Sequence, residues 1–112
     1  KRKPEELVEK IYLKYIPEFL ANRKRQVFPC TALRASFALN AFGEVSPCLM
    51  WMEKIGNIRD TQLDPMKIWN SEKAEEIRGW IRENRCPNCW TPCEAYQSIL
   101  GSPKALLLGL LP

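Results

Sequence analysis

Five cysteines and no histidine constrain this chain more than any other feature of it. Three thiols fall within eight residues, in the run Cys86-Pro-Asn-Cys89-Trp-Thr-Pro-Cys93, and two more, Cys30 and Cys48, stand far upstream. Folding must decide whether the upstream pair meets the downstream three. If it does, the domain closes around a metal centre. A complete disulfide framework would leave one thiol over, because five is odd. The lack of histidine removes Cys2His2 and Cys3His zinc sites, the usual general base, and any Cys–His nucleophile pair.

Cys86 and Cys89 form a Cys-x-x-Cys turn, a local chelate whose loop-closure cost is already low. A 4Fe–4S cluster and a structural zinc ion both take four ligands, and thiolates serve either. A zinc ribbon is normally built from two Cys-x-x-Cys knuckles, whereas Cys30 and Cys48 are 18 positions apart. A polynuclear cluster reaches separated thiols more easily than a single ion with metal–sulfur bonds of about 2.3 Å. The spacing therefore ranks iron–sulfur first and zinc second. Disulfide or dithiol redox chemistry comes third, since the βαβ context of a redox Cys-x-x-Cys is lacking. Inert buried thiols come last.

A length of 112 residues suits one domain with a modest core, and a 46% hydrophobic content with four tryptophans is that of a globular chain. The formal net charge of +4 is mild. The short basic run Arg23-Lys24-Arg25 reads as charge at a helix C-terminus, and nucleic acid is not the expected partner without more basic residues and interleaved aromatics. No window approaches the roughly 18–20 apolar residues of a membrane span, and the apolar end Ala105–Leu111 is far too short. No secretory signal is visible. A cytoplasmic setting is expected, where clustered thiols bind metal or react rather than cross-link.

In chain order, Pro4 suits a first helical position, and Glu5 and Glu6 suit the positive end of a helix dipole. Leu7, Val8, Ile11, Tyr15, Ile16, Phe19 and Leu20 then recur at helical spacing, with a kink expected near Tyr15 from Pro17. The stripe is long for a small domain and the chain opens on Lys-Arg-Lys, so a further packing partner is expected for it. From Leu33 to Asn40 the period becomes two, predicting a strand with Leu33, Ala35, Phe37 and Leu39 on one face. Asn40-Ala-Phe-Gly43 turns the chain, with a positive φ at Gly43, and Val45–Met52 returns as a second strand containing Cys48. Pro47 predicts an edge or an interrupted ladder there. Ile55-Gly56-Asn57 reads as a turn. Asp64-Pro65 caps a short helix to Trp69, and Asn70 or Ser71 caps the next, with Ala74, Ile77, Trp80 and Ile81 buried. Asn84-Arg85 ends that helix. A last helix is predicted from about Thr91 or Pro92 to Leu100, with Gly101 as its stop and a short apolar tail from Pro103. The fold class is α+β: a small β-hairpin with helices packed around a cysteine-ligated centre.

The ordered set Cys30-x12-Gly43-x4-Cys48, Ile55-Gly56-Asn57, Ile68-Trp69-Asn70-Ser71, Ile77-Arg78 and Cys86-x2-Cys89 resembles the SPASM/twitch auxiliary domain of radical S-adenosylmethionine enzymes. The resemblance runs from about Phe28 to Tyr96. It implies a β-hairpin followed by helices that hold an auxiliary 4Fe–4S cluster, with residues 1–27 matching the last helix or linker of a preceding barrel and residues 28–112 forming the cluster domain. A full SPASM domain has Cys-x2-Cys-x5-Cys-x3-Cys and one later cysteine. Here only Cys86-x2-Cys89-x3-Cys93 stands. The one-cluster twitch pattern fits better, and it implies Cys30, Cys48, Cys86 and Cys89 as ligands, with Cys93 a fifth thiol that is spare, an alternative ligand or packed in the last helix. The radical-generating Cys-x3-Cys-x2-Cys motif is absent. The resemblance implies that catalysis belongs to a radical S-adenosylmethionine barrel as partner, with a peptide or protein as its substrate. A structural zinc module for partner binding is the alternative.

Trp51, Trp69, Trp80 and Trp90 are expected as core rather than electron relay, since large aromatics dominate burial. Trp90, beside Cys89, would shield a cluster from solvent. Glu94 is expected as a solvated carboxylate in the first turn of the last helix.

Overall fold

Proline sets where most helices begin. In the computed structural model, which describes residues 3–24 and 26–110, five of the six helices carry proline in the first turn. There its missing N–H costs no hydrogen bond and its fixed φ is already helical. The elements in order are α1 (Pro4–Lys14), α2 (Ile16–Ala21), β1 (Ala38–Leu39), β2 (Glu44–Ser46), β3 (Gly56–Asn57), a 3-10 turn (Ile58–Thr61), α3 (Pro65–Trp69), α4 (Glu72–Arg82), α5 (Pro92–Leu100) and α6 (Pro103–Gly109). Arg25 of the basic run and Leu111 of the apolar tail lie outside the described residues, as do Lys1, Arg2 and Pro112. The class is α+β, as expected. The chain divides into two units, one holding the chain up to Thr31 and from Asn88 onward, the other Ala32–Pro87.

In the first unit α1 packs on α5 and α6. Pro17 does interrupt the N-terminal helix, which breaks at Tyr15 and resumes as α2. The core gathers Val8, Ile11, Phe28, Trp90, Ile99 and Ala105. α6, expected only as an apolar tail, is a helix capped by Ser102, whose Oγ accepts from the Ala105 N–H at 3.2 Å. It approaches α1 closely: a Cβ on Gly109 would overlap the Ile11 side chain. Lys10 Nζ donates to the Gly109 carbonyl at 3.1 Å, satisfying one of the acceptors that a helix end leaves over.

In the second unit the strands form an antiparallel sheet in the order β1-β2-β3, with Ala38 opposite Ser46 and Glu44 opposite Asn57. The turn between β1 and β2 follows the sequence. Gly43 has φ +83°, and Asn40 Oδ1 accepts from the N–H groups of Phe42 and Glu44 at 2.9 and 3.0 Å. The same Asn40 side chain and then Lys54 hold the Glu44 carboxyl below its usual pKa.

The strand lengths differ from expectation for identifiable reasons. Leu33 is buried but sits in a turn with φ 61°, so the period-two count breaks, and Ala35, Phe37 and Leu39 are exposed. What holds Leu33 there is Arg78, whose Nε donates to the Leu33 carbonyl at 2.8 Å. The return strand stops at Ser46 because buried Pro47 has no N–H for the ladder. Cys48 therefore lies outside the strand. Ile55-Gly56-Asn57 is not a turn: Ile55 N–H donates to the Val45 carbonyl at 2.8 Å, and Gly56–Asn57 form β3. Asn57 then caps the 3-10 turn by accepting from the Arg59 N–H.

The α3 and α4 caps are as expected. Asp64 accepts from the Met66 N–H, and Ser71 from the Ala74 N–H. Ala74, Ile77 and Ile81 are buried on α4. Arg78, on that helix, donates to the Trp69 carbonyl at 2.7 Å and to Leu33, and its guanidinium lies 4.9 Å from the Trp69 ring centre. A planar fork is pre-organised to serve two carbonyls and a ring at once, whereas an ammonium on a flexible stem is not. Arg78→Ala is expected to lower unfolding stability by roughly 2–3 kcal/mol, with Arg78→Lys recovering less than half of it. Denaturant unfolding of the metal-free protein measures both, and a lysine variant as stable as wild type would contradict the fork.

Candidate metal centre

Cys30, Cys48, Cys86 and Cys89 lie outside the named helices and strands, and Cys93 lies in the first turn of α5. Cys30 follows α2 after a short coil, and its N–H donates to Gln26 Oε1 at 3.2 Å. Phe28, two residues earlier, is buried against Tyr15 and Trp90 at ring separations of 5.1 and 6.1 Å. Cys48 opens a tight turn in which its carbonyl accepts from the Trp51 N–H at 3.4 Å. Leu49, Met50 and Met52 of that turn and just beyond it are exposed.

Cys86 is set by how α4 ends. Asn84 has φ 58°, Asn84 N–H donates to the Ile81 carbonyl at 3.1 Å, and Arg85 N–H reaches the Trp80 carbonyl at 2.8 Å. This pair of bonds is a Schellman closure, with asparagine in the left-handed position that glycine usually takes. Asn88 repeats the left-handed conformation at φ 51° inside the Cys-Pro-Asn-Cys turn. Sequence reasoning named Asn84 as a helix stop but missed Asn88. The signal was present, since asparagine is the non-glycine residue most at ease with positive φ.

Within Ala32–Pro87 an aromatic contact ties the Cys48 turn to the end of α4. The rings of Trp51 and Trp80 are 6.2 Å apart, and Lys73 and Arg85 lie 5.1 and 5.3 Å from the Trp80 ring centre. Of the four tryptophans expected as core, Trp90 is buried and Trp51, Trp69 and Trp80 are half-buried. Two cations over one indole raise the cost of removing an electron from it. That weighs against Trp80 as an electron relay.

In the other unit, Trp90 Nε1 donates to the Tyr12 carbonyl at 2.8 Å and its ring stacks on Tyr12 at 5.8 Å. Tyr12 is in the last turn of α1, so the indole satisfies a carbonyl left over at a helix end. Cys89 Sγ lies 3.7 Å from Thr91 Oγ1. Cys93 is the second residue of α5 and is exposed, unlike the other four cysteines, which are half-buried.

Glu94 departs from expectation. It is buried, not solvated, because its turn of α5 packs inward, and one carboxylate oxygen, Oε2, has no hydrogen-bond partner among the described residues. Burial raises its pKa.

None of the five cysteines is in a disulfide, and among the described residues no three or more Cys, Asp or Glu side chains gather into a group that would hold a metal ion. Cys48 and Cys86 belong to one unit, and Cys30, Cys89 and Cys93 to the other. The donor chemistry is uniform: five thiols, four of them half-buried, and soft thiolates suit iron–sulfur clusters and tetrathiolate zinc.

The profile of the SPASM family, an iron–sulfur cluster-binding domain, matches residues 30–96. This chain belongs to the SPASM family. The match starts at Cys30 and takes in all five cysteines. Comparisons with curated proteins and with solved structures give no match. No helix among the described residues is long and apolar enough to cross a membrane.

The raised pKa of Glu94 fixes the sign of one pH effect. Its proton is held more tightly in the folded chain than in the unfolded one. Folding is thus favoured at pH below the ordinary carboxylate range and penalised as pH rises through the raised value. Glu94→Gln removes the ionisation. In the metal-free protein the variant is expected to melt above wild type at pH 8, with the gap closing as the pH approaches 4. A gap that stays constant with pH would show that the carboxylate does not ionise at a cost.

Proposed function

We propose that this SPASM domain is the auxiliary-cluster part of a radical S-adenosylmethionine oxidoreductase or maturase. In this reading it is of the one-cluster twitch type, with a single 4Fe–4S cluster on Cys30, Cys48, Cys86 and Cys89. The observation that carries the reading is the family match over a stretch that contains all five cysteines. Four thiolates complete a cuboidal cluster, so the five available here suffice for one and not for two. Cys93 is the thiol left over. Its exposure, where the other four are half-buried, supports that assignment.

The cluster, when bound, supplies one-electron chemistry or an iron site for substrate. The chain's own residues do the rest. Asn84 and Asn88 turn the backbone on either side of Cys86, and Gln26 holds the Cys30 backbone. The ring pair of Trp51 and Trp80 joins the turn bearing Cys48 to the helix end before Cys86. Trp90, next to Cys89 in the chain, is buried and anchors that end of the loop to Tyr12 and Phe28.

Residues 1–27 in this proposal are the helix or linker region that follows a preceding barrel, and that barrel carries the Cys-x3-Cys-x2-Cys motif that this sequence lacks. The barrel and a peptide or protein substrate are the partners. The setting is the reducing cytoplasm, where five thiols persist without pairing.

Iron, sulfide and zinc content with a visible spectrum, on protein reconstituted without oxygen, tests the reading. About four irons and four sulfides per chain are expected. One zinc and no iron would replace the reading with a structural zinc module. Cys86→Ala and Cys89→Ala are each expected to lose the metal and much of the thermal stability it confers, and Cys93→Ala to keep both. Full iron content in Cys86→Ala would remove that residue from the ligand set.

A further inference from the structure

Thr91 occupies the cap position of α5 but does not cap it. Asn57, Asp64, Ser71 and Ser102, at the starts of other helical segments, each accept a hydrogen bond from a backbone N–H of the helix they open. Thr91 has the extended backbone of a cap residue, φ −79° and ψ 149°, yet its side chain accepts no such bond. Its Oγ1 lies instead 3.7 Å from the sulfur of Cys89. A threonine at a cap position normally stabilises its helix through that bond, and here the hydroxyl faces the sulfur instead.

The direction of the Thr91–Cys89 contact depends on the sulfur. Between a thiol and a hydroxyl either group can donate. A metal-bound cysteine has lost its proton, and its sulfur can only accept. The hydroxyl must then be the donor, in a charge-assisted bond to a thiolate. Hydrogen bonds to the sulfurs of a cluster are among the levers that set its potential, because they favour the more negatively charged, reduced form.

We infer that Thr91 is a positioning residue for Cys89: its hydroxyl has left the helix cap to donate to the ligand sulfur, holding that ligand's rotamer and raising the potential of the bound cluster. The inference rests on Cys89 being a ligand, as proposed above. Pro92 makes the exchange of roles inexpensive. As the first helical residue it brings a preset φ and no N–H, so α5 begins without help from a side-chain cap.

Thr91→Val keeps the shape and removes the hydroxyl, and Thr91→Ser keeps the hydroxyl. Two measurements on the full chain separate the roles. The first is the melting temperature of the metal-free protein, where Thr91→Val should match wild type because no cap is lost. The second is the midpoint potential of the reconstituted cluster, after equal iron content has been verified. It should fall in Thr91→Val and return to the wild-type value in Thr91→Ser. An unchanged potential in a fully loaded Thr91→Val protein overturns the inference and leaves the four-cysteine reading standing. A metal-free Thr91→Val protein that melts lower while Thr91→Ser does not assigns the hydroxyl to the helix, and overturns it too. Wild-type protein that takes up no iron, or Cys89→Ala that takes up the full complement, removes Cys89 as a ligand and the inference with it.

Discussion

The second unit depends on one side chain reaching backbone that no ladder serves. Arg78 donates to the carbonyls of Leu33 and Trp69 while its flat face covers the Trp69 ring. Both carbonyls stand where regular structure has failed, one in a left-handed turn and one at the end of a short helix. Buried carbonyls of this kind are costly when unmet. By serving both, α4 fixes the segment that leads into β1 and the segment that leads into its own cap at Ser71. The Ile77-Arg78 pair that marked the family resemblance is thus a packing isoleucine followed by the guanidinium that organises the unit.

The first unit solves the same problem with an indole. Trp90 gives its N–H to Tyr12 and its ring to Tyr12 and Phe28, so the residue after Cys89 and the segment before Cys30 share one aromatic cluster. Trp90, next to Cys89, and Phe28, two residues before Cys30, are core residues, and the two cysteines themselves are half-buried. Side chains held beside a rigid core keep their geometry better than side chains on open loops.

How much of this was legible in the sequence depended on range. The helices were, because proline, aspartate and serine act on the backbone within a turn of themselves: Pro4, Asp64, Ser71 and Pro92 begin or cap their helices where expected. The turn at Asn40–Gly43 was legible for the same reason. The first strand was not, since its alternation is undone at Leu33 by an arginine 45 residues further on. Glu94 was misread because a first-turn carboxylate looks solvated until the packing of α5 is known. For the metal centre, the cysteine types and spacing pointed to the family, and the family profile covers the same stretch. The neighbours of those cysteines were only partly legible. Nothing local in Thr91 distinguishes a hydroxyl that caps from one that faces a sulfur.

The two left-handed asparagines around Cys86 have a consequence for how a metal would arrive. Because Asn84 and Asn88 bend the chain by backbone torsion, the hook that carries Cys86 owes its shape to the polypeptide and not to the ion. A ligand already bent into place loses little conformational freedom when it is captured. Asparagine at these positions presets the backbone on either side of Cys86.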